Sequence, residues 1–301
     1  ETLMEVVVCP QHNVEVRQLR ITNHGKTSRR IEVTSYAEVA LTTQGADIAH
    51  PAFQKLFVET EFVHEDYTLL ARRRPRNSGQ APVFAVHTMA IPAAFQNSLD
   101  YETDREKFLG RGRTAEAPIA MKSDKLTQTV GAVLDPVFAL RCVLTIPAAE
   151  SVTIGITTGF TASRDEALSV ADLFHDLRGV QRTFELAWAF AQVEMRHLNL
   201  TARQIHLYQR LGGFLLFPNE AMRGPAEKIA ANRLGQKALW RFGISGDRPI
   251  LLIRVAETSQ IDAFREVASA HFFLLSRGFV SDLVVCNDFP GSYFDALQEQ
   301  L

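Results

Sequence analysis

Residues 31–41 alternate without a break: Ile31, Val33, Ser35, Ala37, Val39 and Leu41 share one face, while Glu32, Thr34, Tyr36 and Glu38 share the other. Successive side chains of a strand point to opposite sides, so a sustained period of two specifies a half-buried antiparallel strand. The same texture runs through residues 1–160. Residues 4–9 are an apolar strand closed by Pro10, and residues 14–22 carry Val14, Val16, Leu19 and Ile21. NHGK at 23–26 is a turn signal, which makes 14–22 and 31–41 the arms of an expected hairpin. Residues 45–54 read as a loop, followed by strands at 55–63, 68–73 and 83–91. Further strands are expected at 128–133, 137–146 and 151–158. Many short strands separated by turns specify a β-sandwich.

The period then changes. Ser163 with Glu166 is a capping box ahead of a helix over 167–177. Residues 182–199 form a long amphipathic helix that places Phe184, Trp188, Ala191, Met195 and Leu198 on one face, with Trp188 expected in the core. Thr201 caps a further helix. After a polar connector at 218–236 and a loop at 239–249, an apolar strand at 250–255, a helix at 259–277 and a second apolar strand at 283–286 make a parallel pair. A last helix starts at Ser292. The fold class is therefore α+β and multidomain: a large antiparallel β-sandwich over 1–160, a helical linker over 161–235, and a small βαβα parallel unit over 236–301.

A formal net charge of −2 gives nucleic acid no electrostatic footing, and Arg72, Arg73, Arg74 and Arg76 read as a solvated turn. Cys9, Cys142 and Cys286 form no CxxC or zinc spacing and read as small core residues, so no metal site and no disulfide framework is expected. No apolar run is long enough to span a membrane. The chain enters a strand at its first residues and stops inside helical sequence, which gives the expectation of a segment of a longer protein.

Chemistry concentrates in residues 101–118, YETDREKFLGRGRTAEAP, where Asp104, Arg105, Arg111 and Arg113 surround Gly110 and Gly112. Guanidinium forks suit carboxylate, phosphate and vicinal hydroxyls, so these four residues are the candidate substrate-binding set. The competing reading is a surface loop whose arginines pair with Asp104 and Glu106. Its acids, Glu102, Asp104, Glu106 and Glu116, show no paired arrangement of the kind glycoside chemistry uses. GISGD at 243–247 is GxSG rather than G-x-S-x-G and precedes its strand, which argues against a serine nucleophile. Asn287 and Asp288 are weaker candidates at the carboxyl end of the second parallel strand.

NHGKTSRRIEVTSYAEVAL (23–41), HPAFQKLFVETEF (50–62), residues 101–118, VLDPVFALR (133–141), RTFELAW (182–188), LWRFGISGDRPILLIRV (239–255) and RGFVSDLVVCND (277–288), taken in order, resemble the inverting carbohydrate phosphorylases of the cellobiose and chitobiose type. More narrowly, they resemble the copy of that domain inside the cyclic β-1,2-glucan synthases of bacteria. The resemblance implies a sandwich and a helical linker ahead of an (α/α)₆ barrel, where inorganic phosphate is co-substrate and an aspartate in a GFRD-type motif protonates the leaving oxygen. The 301 residues hold no such motif, so no catalytic residue is assigned, and no bound cofactor is expected. The implied partners are a β-glucan oligosaccharide and the remaining domains of the parent chain, with no nucleic acid and no membrane contact by the segment itself. The implied location is the cytoplasmic face of the bacterial inner membrane. The alternatives are a stand-alone carbohydrate-binding sandwich, with Tyr36, Phe62 and Tyr67 as its aromatics, or a structural domain that forms a homo-oligomer.

Overall fold

The computed structural model describes residues 1–75, 77, 79–217 and 219–288. The chain divides into two units, Glu1–Gln192 and Val193–Leu301. In the first, β1 (Thr2–Val8), β2 (Val14–Thr22), β3 (Arg29–Thr34) and β4 (Ala37–Glu38) are followed by two short helices, α1 (Gln44–Ala49) and α2 (Pro51–Lys55). Then come β5 (Val58–Val63), β6 (Thr68–Arg73), β7 (Val83–Ala90), β8 (Asp100–Asp104), helix α3 (Arg105–Leu109), β9 (Pro136–Ile146), β10 (Ser151–Thr161), α4 (Arg164–Phe174) and α5 (Leu177–His197).

These strands build two antiparallel sheets. One has six strands in the order β1-β2-β10-β7-β6-β5. In the other, β9 pairs with β3 and β4 along one edge and with β8 along the opposite edge. Inner faces meet in a core that includes Ile21, Leu69, Met89, Phe138, Leu144 and Ile154. α4 covers the outer face of the six-stranded sheet through Ala167, Val170, Ala171 and Phe174. Phe108 and Leu109 of α3, with Ala120 and Leu126, cover the outer face of the smaller sheet. The antiparallel sandwich read from the alternating sequence is thus the architecture found.

Several local expectations are corrected. β2 and β3 are not a hairpin: β2 pairs β1 and β10, while β3 pairs β9. Residues 23–28 cross between sheets because the buried Asn23 donates from its amide to the carbonyls of Thr27, Ile146 and Pro147 at 2.8, 3.0 and 3.0 Å. The strand at 31–41 breaks at Ser35 and resumes as β4 in the same register on β9. There the Ser35 hydroxyl takes over from the ladder, accepting from the Leu140 amide at 3.1 Å. The expected loop at 45–54 contains α1 and α2. The expected strand at 128–133 is a single bridge between Thr60 and Gly131. Trp188 is 68% exposed, because only the first turns of α5, at Val180 and Phe184, reach the sheet. Cys9 and Cys142 are buried as expected, whereas Cys286 is only half-buried.

The second unit contains α6 (Ala202–Leu216), α7 (Ala226–Ala231), β11 (Ile250–Val255), α8 (Ile261–Ser276) and β12 (Asp282–Asn287). β11 and β12 pair in parallel, as two apolar strands joined by a helix require. Tyr208 of α6 packs with Ala270, Phe273 and Leu274 of α8. Thr201 forms a reciprocal capping box with Gln204 at the start of α6. Residues 239–249, expected as loop, begin inside a 3₁₀ helix, Gln236–Phe242. The helix expected from Ser292 and the expected turn residue Arg76 lie outside the described residues.

Candidate functional site

The stretch 101–118 is more structured than a loop. Residues 101–104 lie in β8, and the chain then turns directly into α3. Asp104 is the cap of that helix, its carboxylate accepting from the Glu106 amide at 2.9 Å. α3 ends at Gly110, whose φ of 85° with ψ of 154° is open only to glycine, and a Cβ there would stand 3.0 Å from Ile119.

Arg105 is committed to an ion cluster. Its Nε donates to Glu38 at 2.9 Å, and its Nη1 lies 3.6 Å from Asp135. Lys55, at the end of α2, reaches the same pair, at 2.5 Å from Asp135 and 3.9 Å from Glu38. The Tyr36 hydroxyl donates to Glu38 at 3.0 Å, and its ring stacks on Phe108 at 5.0 Å. The Arg105 hydrogen bond holds the Glu38 carboxyl below its usual range. Burial, followed by the hydrogen bond to Glu38, pushes the Tyr36 phenol up to about 12. Two cations thus meet two anions, and every charge has a partner. This cluster locks α2, α3, β4 and the start of β9 together; Glu38 is held ionised by Arg105 and so is not an acid with a proton to give. On its far side Glu38 lines a cavity of about 530 Å³ with Val39, Leu41, Phe138, Thr158 and Phe160.

The remaining two candidates behave differently. Arg111 and Arg113 stand exposed on the turn after α3. Arg113 donates to the Ala117 carbonyl at 3.3 Å; Arg111 has no hydrogen-bond or ion-pair partner among the described residues. The four candidates therefore split into two residues that build the turn, Asp104 and Arg105, and two that present guanidinium groups to solvent.

Other chemistry-bearing groups resolve into structural roles. Glu102, 1% exposed, accepts from the amides of Thr103 and Asp104 and from the Thr127 hydroxyl. His87 is fully enclosed between the hydroxyls of Ser35 at 2.8 Å and Thr158 at 2.7 Å, with no carboxylate behind it. Burial lowers its pKa to about 4, with the positive Arg17 adding to the shift. It lies on the apolar face of an alternating strand, which is the signal by which the sequence announces it. Ser245, Asp247 and His271 line one cavity of the second unit. There His271 is bonded to the Ser281 carbonyl at 2.9 Å and the Ser245 hydroxyl accepts from the Asp247 amide at 3.2 Å, so no serine–histidine dyad is formed. Asp288 is paired with Arg254 at 2.6 Å.

Asp66, Asp172 and His175 are the group among the described residues that could hold a metal, with one ligand atom each within 4.8 Å of one another. Sequence spacing hid them because Asp66 lies more than a hundred residues from the other two. The His175 Nδ1 that lies 3.9 Å from Asp66 also donates to the Asp172 carbonyl at 2.5 Å, so that nitrogen carries a hydrogen rather than a free lone pair.

Comparison with known proteins gives two findings. Residues 1–177 match the supersandwich domain of glycosyl hydrolase 94. The chain is also 34% identical over 299 residues to the cyclic beta-(1,2)-glucan synthase NdvB of Rhizobium meliloti (strain 1021). The alignment covers 99% of this chain and 11% of that relative, so the chain spans about a ninth of the relative's length.

Proposed function

From the premise that this chain belongs to the glycosyl hydrolase 94 family through its supersandwich domain, we propose that it is a segment of a cyclic β-1,2-glucan synthase. In this reading it supports β-glucan binding and phosphorylase-type processing of glucan length by a barrel formed from other parts of the polypeptide. The observation that carries the reading is identity sustained over 299 residues, with the sandwich and the parallel unit that follows it both inside the aligned region.

The site geometry supports a supporting role. Glycoside cleavage with inversion requires a proton donor set across the sugar from the attacking group. In the phosphorylase chemistry proposed for the parent, phosphate is the attacking group, so one protein acid suffices. Of the acids in and beside 101–118, Asp104 caps α3, Glu102 is buried and triply bonded, and Glu38 and Asp135 are neutralised by Arg105 and Lys55, while Glu106 and Glu116 stand exposed on the surface. What the segment does present is Arg111 and Arg113, whose planar donors fit the vicinal hydroxyls of a sugar or a phosphate oxygen. No described helix is long and apolar enough to cross a membrane. Placement at the cytoplasmic face of an inner membrane therefore belongs to the parent chain and is part of the same proposal.

The stand-alone carbohydrate-binding reading would use Tyr36, Phe62 and Tyr67, and Tyr67 is half-buried with its ring edge-on to Phe62 at 6.5 Å. Tyr36 stacks on Phe108, and Phe62 stacks on Tyr101 at 3.9 Å, so each ring already has one face engaged inside the protein, which favours the segment reading over a sugar platform. Titration with a linear β-1,2-glucan tests the proposal. Saturable binding is expected, weakened about tenfold in Arg111→Ala/Arg113→Ala, the loss of one to two charge-assisted hydrogen bonds. Arg105→Ala is expected to leave the affinity unchanged. Equal affinity in wild type and double mutant, with both melting cooperatively, would refute the sugar-facing role.

A further inference from the structure

The six-stranded sheet is wider than the sheet that faces it. Phe62 of β5 stacks on Tyr101 of β8, which sets β8 over the β5 edge. β3 lies on the opposite side of β9 from β8. It therefore sits towards the β10 and β2 side, where Ile31 and Val33 pack with Leu19 and Ile154 against the common core. β1 lies one strand further out. Its register places Met4 opposite Leu19, Val6 opposite Arg17 and Val8 opposite Glu15. Opposed residues of an antiparallel pair share a face, and Leu19 faces the core. Met4, Val6 and Val8 thus lie on the inner face of the sandwich, yet they are 56%, 47% and 70% exposed. Directly inward of this uncovered stripe, β3 has a free edge: among the described residues its strand partner is β9 alone. Arg29 and Arg30 on that edge are exposed and have no ion pair among the described residues.

One corner of the sandwich shows what fits. β9 arrives there in the small sheet, residues 147–150 cross over, and β10 departs in the large one, with Ile146 opposite Arg29 and Ser151 opposite Thr22. Residues 23–28 cross back at the same corner. Glu1 is also there, its backbone nitrogen donating to the Thr22 carbonyl at 3.0 Å, and β1 departs from the corner alongside β2. A strand that reached this corner along the free edge of β3 would run antiparallel to β3. A crossing as short as that between β9 and β10 would then lead it into Glu1.

We propose that the residues immediately preceding Glu1 in the longer polypeptide form this strand, pairing antiparallel with β3 and roofing Met4, Val6 and Val8. The inference rests on reading the chain as a segment. The strand's inner positions over the stripe are apolar, and its outer positions carry carboxylates or other acceptors for Arg30, which alternation places on the outer face of β3. A second copy joined β1 to β1 is the poorer occupant, since it prolongs the large sheet sideways and leaves its inner face unroofed.

The test compares residues 1–301 with the same chain extended through its preceding residues, both carrying Cys286→Ser and either Met4→Cys or Val6→Cys. Thiol labelling is expected to be rapid in the shorter chain and to slow about tenfold or more in the longer one. In the otherwise unmodified proteins, the β3 amides that face away from β9 are expected to gain hydrogen-exchange protection. Equal labelling and equal exchange in two folded chains would overturn the proposal. So would sedimentation of the shorter chain as a dimer with its thiols already protected, which assigns the face to a second copy. Immunodetection in native cells separates the two readings. A species of 33.6 kDa would refute the segment reading, whereas a larger species with unprotected thiols would refute the strand alone.

Discussion

Neutral His87 hangs between two hydroxyls inside the sandwich, stacked on Phe138 at 5.6 Å. Its folded pKa of about 4 lies below the ordinary 6.5, so the folded state refuses a proton that the unfolded chain accepts. Stability is therefore complete above about pH 6.5 and declines as the pH falls towards 4, by on the order of 3 kcal/mol. Urea midpoints measured at about pH 7 and about pH 4 are expected to draw together in His87→Gln, which removes this titration; an unchanged gap would assign acid sensitivity to other groups. At this scale the sequence speaks unevenly. A histidine on the apolar side of β7 is visible in it, but the hydroxyls that satisfy it come from residues 35 and 158, and no local pattern brings them together. Arg105 is the mirror case: its charge drew attention, while its commitment to Glu38 and Asp135 depends on two other distant segments.

Elements were legible where one period governed them. β2, β6 and β11 begin and end at the residues read from alternation and apolar runs, and the cap at Thr201 is in place. Errors fall where a side chain replaces a backbone partner, as Ser35 does in the broken edge strand, or where a segment too short for a period forms α1 and α2. The α4–α5 corner illustrates a third kind of signal. A Cβ on Gly179 would lie 1.8 Å from the Leu173 carbonyl oxygen, so the two helices can meet at this angle only across a glycine. Gly179→Ala is expected to cost about 2 kcal/mol through forced separation of α4 and α5. Thermal melting checks it, and a shift no larger than that of an exposed alanine substitution would show that the corner can relax.

Across the whole sandwich, two of the pairings that define the topology, β2 with β10 and β3 with β9, join residues about a hundred or more positions apart, as in Thr22 with Ser151 and Arg29 with Ile146. Alternation states that a strand has a buried face; it does not state which strand lies beside it, and so the hairpin expected from NHGK was wrong while the sandwich was right. What settles the pairing is Asn23. It is 4% exposed, and its side-chain amide binds three carbonyls from both sides of the corner. Its backbone also accepts from Ala149 and donates to Glu150 at 2.9 Å each. One residue thus fastens the β2–β3 crossing to the β9–β10 crossing and closes the two sheets on each other. Asn23→Ala removes the amide donor shared by the Thr27, Ile146 and Pro147 carbonyls, at an expected cost of about 2–3 kcal/mol. Asn23→Asp, which sets a carboxylate against the same carbonyls, is expected to cost more. Because the corner joins both sheets, the loss should appear as a lower urea midpoint for the sandwich core as one cooperative step, read by hydrogen exchange in β2, β9 and β10 together. Exchange that rises only at residues 23–28, with β9 and β10 unchanged, would show that the sheets are held together without it.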